Sequence, residues 1–372
     1  MINQERLLQE FMELVQIDSE TKNERQICDV LKEKLTELGL EVIEDDTAKV
    51  TGHGAGNLVA TLAGNAEAPT IYFTCHMDTV TPGKGIKPSV KDGYVVSDGT
   101  TILGSDDKAG IAAILEGLRT LQEQNAPHGT IRLFITVGEE SGLVGAKAFD
   151  SSMLQADYGF ALDSNGKVGD IIVAAPTQAK IKAVVHGKAA HAGVNPESGI
   201  SAIQVASRAI MRMPLGRIDE ETTANIGIIE GGQATNIVCP RVDILAEARS
   251  IVPEKMEAQV EKMKKAFAEA AEEFHTRIDV EVEVMYPGFK FGEEDLVTQK
   301  AMEAVRKVGR EPRLLSSGGG SDANVVAGFG IPTVNMAIGY EEIHTTDERM
   351  PIEELNKAAE LVVALVQTAL EK

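Results

Sequence analysis

The histidines and carboxylates of this chain that invite chemistry fall at the ends of short apolar runs. His76 and Asp78 follow the run TIYFTC as H-x-D, and Asp106 and Asp107 open a helical pattern in GSDDKAG. Glu139 and Glu140 follow TIRLFITV, Asp163 closes YGFAL, and His344 lies in a loop after TVNMA. In an open α/β sheet, sites form in the crevice beyond the carboxyl ends of the strands. Two histidines and several carboxylates meeting there would repel one another without a counter-charge. Two divalent cations would supply it, and imidazole with carboxylate donors suits zinc, with cobalt or manganese as substitutes. One carboxylate bridging both ions would leave a position for a water that the ion pair activates.

These residues need a scaffold that brings strand ends together. Thr70–Cys75, Thr130–Val137 and Tyr158–Leu162 read as strands, and Lys108–Gln124 as a helix with Ile111, Ile114, Leu115, Leu118 and Leu121 on one face. Alternating strands and helices predict an α/β fold with a mostly parallel sheet and helices on both faces. Near the start, a helix over about 22–38 is expected. Ser19 or Thr21 would be its N-cap, Glu24 would complete a capping box, and Gly39 would stop it.

The middle of the chain changes pattern. Gln178–His186 reads as a strand, Ile200–Met213 as a helix, Thr223–Ile229 and Ile237–Ala248 as strands about a Gly231-Gly232 turn, Pro253–Glu273 as a helix and Asp279–Met285 as a strand. That order is βαββαβ, a ferredoxin-like unit complete in itself. The expected organisation is a catalytic domain over 1–175 and 288–372 with an inserted lid or dimerisation domain over 176–287. A Gly-rich run at 316–320 followed by Ser321-Asp322 suggests an anion-binding nest or a packing turn. With no GK[ST] after it and no strand expected immediately before it, it is not a phosphate loop.

Composition narrows the partners. Among 372 residues, 36 are basic and 57 acidic, a net charge of −21, and 43% are hydrophobic. This is a globular composition, and its acidity argues against nucleic-acid and anionic-membrane partners. The first residues carry charges throughout and lack a signal peptide's basic and apolar regions. The cysteines, Cys28, Cys75 and Cys239, are odd in number and widely spaced, which points to a reducing cytoplasm.

Taken together, H76-M-D78, GSDDKAG, Glu139-Glu140, ALD163, GKAAHAG at 187–193 and EEIHTT around His344 resemble the di-zinc metallopeptidase family of peptidase T, carboxypeptidase G and aminoacylase. The resemblance runs over essentially the whole chain. It implies a zinc exopeptidase-like catalytic domain and a metal-dependent exopeptidase for short peptides, of the tripeptide aminopeptidase type. A dipeptidase or an N-acyl-amino-acid amidohydrolase with the same site is the alternative.

Carried over by residue, the resemblance implies that His76 and Asp163 bind one zinc, Glu140 and His344 the other, and that Asp106 bridges. Asp78 would hydrogen-bond His76 and fix its tautomer, and Glu139 would be the general base. His191 would stabilise the oxyanion, and Asn236 and Arg249 would hold the substrate. The resemblance also implies a cis Asp106–Asp107 peptide bond and allows a homodimer through the inserted domain.

Blander readings stand beside these. Asp107 is an alternative bridge or a helix cap. Asp163 suits a turn in Asp-Ser-Asn-Gly, Asn236 a turn and Arg249 a surface charge. His53, His128, His186 and His275 match no motif and are expected to be structural or exposed.

Overall fold

A computed structural model describes residues 1–371. The chain forms two compact units. The first comprises Met1–Ala174, Phe291–Ser316 and the residues from Ser321 onward; the second comprises Ala175–Lys290 with Ser317–Gly320.

The first unit is built on a twisted mixed sheet. Its strands run in the spatial order Glu41–Glu44, Leu58–Leu62, Ile131–Thr136, Ile71–His76, Tyr158–Ser164, Thr333–Ala337 and Asp170–Ala175, with Arg313–Ser316 beside the last. The centre is parallel: Ile71–His76 lies between Ile131–Thr136 and Tyr158–Ser164, and Thr333–Ala337 runs parallel to Tyr158–Ser164. Antiparallel neighbours flank it, as Leu58–Leu62 does against Ile131–Thr136. All residues of Ile71–His76 and Thr333–Ala337 are buried, as a sheet covered on both faces requires. Helices Ser105–Glu123, Ile352–Thr368, Leu296–Lys307 and Gln4–Val15 pack as one group, and Asp322–Gly328 packs with Val144–Ala148.

Ser105–Glu123 lies close against the sheet because Gly110 has no side chain. A Cβ there would come within 2.5 Å of the Leu162 carbonyl oxygen and of Asp107 Oδ1. The helix becomes regular only after Asp107, since Asp106 (ψ 102°) and Asp107 (φ −120°) are not helical.

The second unit is βαββαβ with one added two-residue strand, Gly216–Arg217. Its antiparallel sheet has the order Gly216–Arg217, Thr222–Gly231, Arg241–Ser250, Thr177–His186 and Ile278–Tyr286, and helices Ala202–Arg212 and Pro253–Glu273 share its core.

Several local expectations are corrected. The early helix is Arg25–Glu37, with no side-chain cap at its start. The Thr21 hydroxyl donates to Asp78 instead, and the Glu24 carboxylate accepts the N–H groups of Lys22 and Gly54. The second strand of the central hairpin starts at Arg241, after Pro240 removes a ladder donor; Ile237 only bridges His191. Strand Arg313–Ser316 does precede the Gly-rich run. His53 and His128 are buried, which agrees with a structural role. Among the described residues no helix is long and apolar enough to cross a membrane.

Candidate metal centre

The parallel strands end along one edge of the first unit's sheet, and the polar residues that follow them meet there. His76 is the last residue of its strand and pairs in register with Thr136, three residues before Glu139. Asp163 is the next-to-last residue of the neighbouring strand. Asp106 enters from the turn before the long helix, and His344 from the loop after Thr333–Ala337.

Asp106 divides its two oxygens between two histidines. Its Oδ1 is 3.0 Å from His76 Nε2, and its Oδ2 is 3.2 Å from His344 Nε2. His344 Nε2 also lies 2.9 Å from Glu140 Oε1, and His76 Nε2 lies 3.7 Å from Asp163 Oδ1. Ligand atoms of His76, Asp106 and Glu140 all fall within 4.8 Å of one another, as do those of His76, Asp107 and Asp163. Of the two adjacent aspartates, Asp106 alone faces both histidine rings. Asp107 Oδ2 accepts the main-chain N–H of His76 at 3.3 Å, and its Oδ1 has no hydrogen-bond partner. Nor does Asp107 cap the helix, which starts without a side-chain cap. The Asp106–Asp107 peptide bond is cis.

His76 is oriented from behind. Its Nδ1–H donates to the main-chain oxygen of Asp78 at 2.9 Å, so when the ring is neutral it would present the Nε2 lone pair to the cluster. The Asp78 carboxylate is farther away, at 3.5 Å, because other donors occupy it. Its oxygens accept the Thr21 hydroxyl at 2.6 Å and the N–H groups of Glu139 (3.0 Å) and Glu140 (3.3 Å). Asp78 therefore holds the turn that carries both glutamates. Gly138, at φ 60°, makes that turn with His53 against it; a Cβ would sit 2.4 Å from His53 Nε2.

The electrostatics are those of a crowded acidic pocket. Burial opposes charge on His76, yet its bonds to Asp106 and Asp78 and the nearby Asp163 and Glu139 raise it well above its ordinary pKa. Hydrogen bonds to Asp106 and Glu140 push His344 up to about 10. Asp106 pays for its burial with bonds from both histidines, which hold it below the usual carboxylate range. Asp163 and Glu139 go the other way: burial, with the carboxylates nearby and against the opposing pull of His76, raises both well above their ordinary values. Burial also lifts Asp322 to about 6. Such a set of imidazoles and carboxylates, with unpartnered Asp107 Oδ1 and Asp322 Oδ1, suits divalent cations of the zinc type.

Several residues around the cluster carry no motif of their own. The Tyr340 hydroxyl donates to Asp163 Oδ1 at 3.0 Å. Asn335 brackets Asp163, accepting its N–H at 3.0 Å and donating to its carbonyl at 2.7 Å. Asp322 bonds the Thr136 hydroxyl. Glu348 accepts from the turn that carries Asp106. Their sequence signals are faint: an amide inside the buried strand TVNMA, and Tyr340 and Glu348 each four residues from His344.

The remaining candidates lie in the second unit. His191 and Asn236 are exposed on adjoining loops, joined where the Ala192 N–H donates to the Asn236 carbonyl at 2.9 Å. Arg249 is already engaged. Its Nε and Nη2 donate to the Glu247 carboxylate at 2.9 and 3.0 Å, and its Nη1 to the Gly318 carbonyl at 3.0 Å.

Comparison with known proteins gives consistent matches. The model of the family described as Peptidase family M20/M25/M40 matches residues 72–368. An uncharacterized protein, YqjE, of Bacillus subtilis strain 168 is 66% identical over 369 residues, covering 99% of this chain and 100% of that protein. The crystal structure of aminopeptidase PepT from Bacillus cereus ATCC 10987 is 66% identical and superposes with a TM-score of 0.96, with 100% of both chains covered. That of a tripeptidase from Staphylococcus aureus subsp. aureus Mu50 is 51% identical, with a TM-score of 0.98 and the same full coverage.

Proposed function

Because the chain belongs to peptidase family M20/M25/M40, we propose that it is a metal-dependent aminopeptidase that removes the N-terminal residue from tripeptides. The observation that carries the site assignment is the two-sided placement of Asp106, one oxygen toward each histidine. On this reading His76 and Asp163 would hold one divalent ion, His344 and Glu140 would hold another, and Asp106 would be shared between them. Zinc fits the donor set, and cobalt or manganese would be accepted by the same atoms. When bound, the ions supply Lewis acidity to the attacking water and the scissile carbonyl.

The chain's own residues do the rest. Glu139 stands beside the ligand Glu140 without being needed as a donor, and burial keeps its proton affinity high. It takes the proton from the attacking water on a carboxylate oxygen and returns it to the departing amine. Asp78 keeps Glu139 and Glu140 in register with His76 by holding their main-chain N–H groups. Tyr340 and Asn335 fix the rotamer and the backbone of Asp163. His191 and Asn236 are assigned to binding the peptide and its developing negative charge. Arg249, committed to Glu247, steadies the Gly318 segment and is assigned to substrate binding only through it.

The same reading carries a cytoplasmic location, supported by three unpaired cysteines. It also carries a homodimer through the second unit, supported by Ile203 and Met211, which stand exposed on helix Ala202–Arg212.

A substrate panel tests the activity. Tripeptides with a free amino terminus should lose their first residue with kcat/KM at least tenfold above dipeptides and N-acyl amino acids. Preferred cleavage of N-acyl amino acids, or equal cleavage of N-acetylated tripeptides, would shift the assignment to an amidohydrolase.

A further inference from the structure

We propose that Glu348 is a positioning residue that sets the two-sided presentation of Asp106 by clamping the turn before it to the loop that carries His344. The inference rests on reading Asp106 and His344 as metal ligands.

Glu348 is 2% exposed, and its carboxylate is saturated by donors from one short segment. Its Oε2 accepts the N–H groups of Leu103 at 2.8 Å and Gly104 at 2.9 Å. Its Oε1 accepts the Ser105 hydroxyl at 2.6 Å and the Asp106 N–H at 3.1 Å. These are the main-chain groups that lead into the irregular start of the long helix, where Gly104 is left-handed and Asp106 is extended (ψ 102°). No ladder or helix hydrogen bond can serve donors in such a turn, so one carboxylate satisfies them.

The other end of the clamp is equally fixed. Glu341 and Arg349 exchange main-chain hydrogen bonds at 2.9 and 3.0 Å and close a loop with His344 at its tip. Glu348 sits at the base of that loop. At its tip, His344 has φ 62° and Glu342 φ 54°, left-handed conformations that side-chain-bearing residues keep only where their surroundings enforce them. The two segments are 238 residues apart in sequence at the Asp106–His344 contact, so something must set their mutual placement. Besides His344 itself, Glu348 belongs to one segment and touches the other, and it does so through four hydrogen bonds.

The chemistry distinguishes this from ordinary packing. Glutamine has nearly the same shape but only one acceptor oxygen. In Glu348→Gln, the amide NH2 would face two of the four N–H or O–H donors, so the turn must move or leave donors unpaired. Asp106 would then present its oxygens at altered angles to both ligand sets.

The test compares zinc affinity by competition against a chelating dye, at a temperature where near- and far-ultraviolet circular dichroism show each protein folded. For Glu348→Gln, both zinc equivalents should bind 10–100-fold more weakly, the usual cost of losing a group that orients a ligand. At saturating zinc, kcat should fall with KM nearly unchanged. Wild-type zinc affinity in folded Glu348→Gln protein would overturn the proposal. If Glu348→Gln does not fold, Ser105→Ala decides: it removes one donor and should weaken zinc about threefold or more, whereas unchanged affinity overturns the proposal. Failure of the wild-type protein to bind zinc, cobalt or manganese would sink the metal reading itself, a result distinct from a variant that binds as the wild type does.

Discussion

The Asp78 carboxylate accepts the main-chain N–H of Glu139 at 3.0 Å, which joins the end of one buried strand to the turn after its neighbour. Because the Asp78 carbonyl also receives the Nδ1–H of His76, one residue orients a proposed histidine ligand and the segment bearing the proposed base. Asp78→Asn would turn an amide toward donors that now meet a carboxylate. The expected result is a 10–100-fold loss of kcat/KM and weaker metal binding at the His76 site. Titration of the metal-free variant with zinc checks this, and unchanged affinity with unchanged turnover would remove Asp78 from the machinery.

Glu139→Ala should keep the metals and lose turnover. A general base contributes about 10²–10⁴-fold, and the effect should appear in kcat rather than KM. Metal content by elemental analysis, alongside kinetics on a tripeptide, separates the base from the ligands. Glu140→Ala, by contrast, should lower metal content.

His191→Ala should lower kcat on the order of 10²-fold without changing the metal content, because it is assigned to charge that develops during reaction. Normal turnover would show that the match of GKAAHAG to its motif carries no catalytic role here.

The metal-free protein should lose stability as pH rises. The acids Asp163 and Glu139 have folded pKa values above their unfolded ones, as do His76 and His344. For a raised group, the favourable contribution is complete below the unfolded pKa and disappears as pH climbs through the folded value. The window therefore opens near pH 3.8 for Asp163, near 4.5 for Glu139 and near 6.5 for the histidines, and closes for His344 at about 10. Each uncompensated proton changes stability by about 1.4 kcal/mol per pH unit in that window. Melting curves in chelator should fall from pH 6 to pH 9, and saturating zinc should flatten the trend. A chelated protein equally stable at both pH values would contradict the charge crowding described above.

Much of the candidate site was legible because the residues that cluster in it follow apolar strands. His76, Glu140 and Asp163 each mark the point where a buried run meets a polar end, and the alternation of strands and helices brings such points to one edge. What escaped was whatever depends on a distant partner. Thr21 and Glu24 have the spacing of a capping box, but the Asp78 carboxylate and the Gly54 N–H compete for them and win. Glu348 looks like any acidic loop residue until folding places it against Leu103–Asp106. Arg249 invites a substrate role by its type, while its neighbour two residues back on the same strand face, Glu247, already takes two of its nitrogens. Short strands such as Arg313–Ser316 carry too little pattern to stand out beside a Gly-rich run.

On the proposed reading, tripeptide cleavage depends on two divalent ions that Asp106 would share. Metal-free protein at a concentration far above its metal Kd should be titrated with zinc while release of the N-terminal residue from a tripeptide is followed. Activity should rise to a break at about two equivalents per chain, and Asp106→Asn should abolish both the break and the activity. Full activity in chelated protein, or in Asp106→Asn, would contradict it.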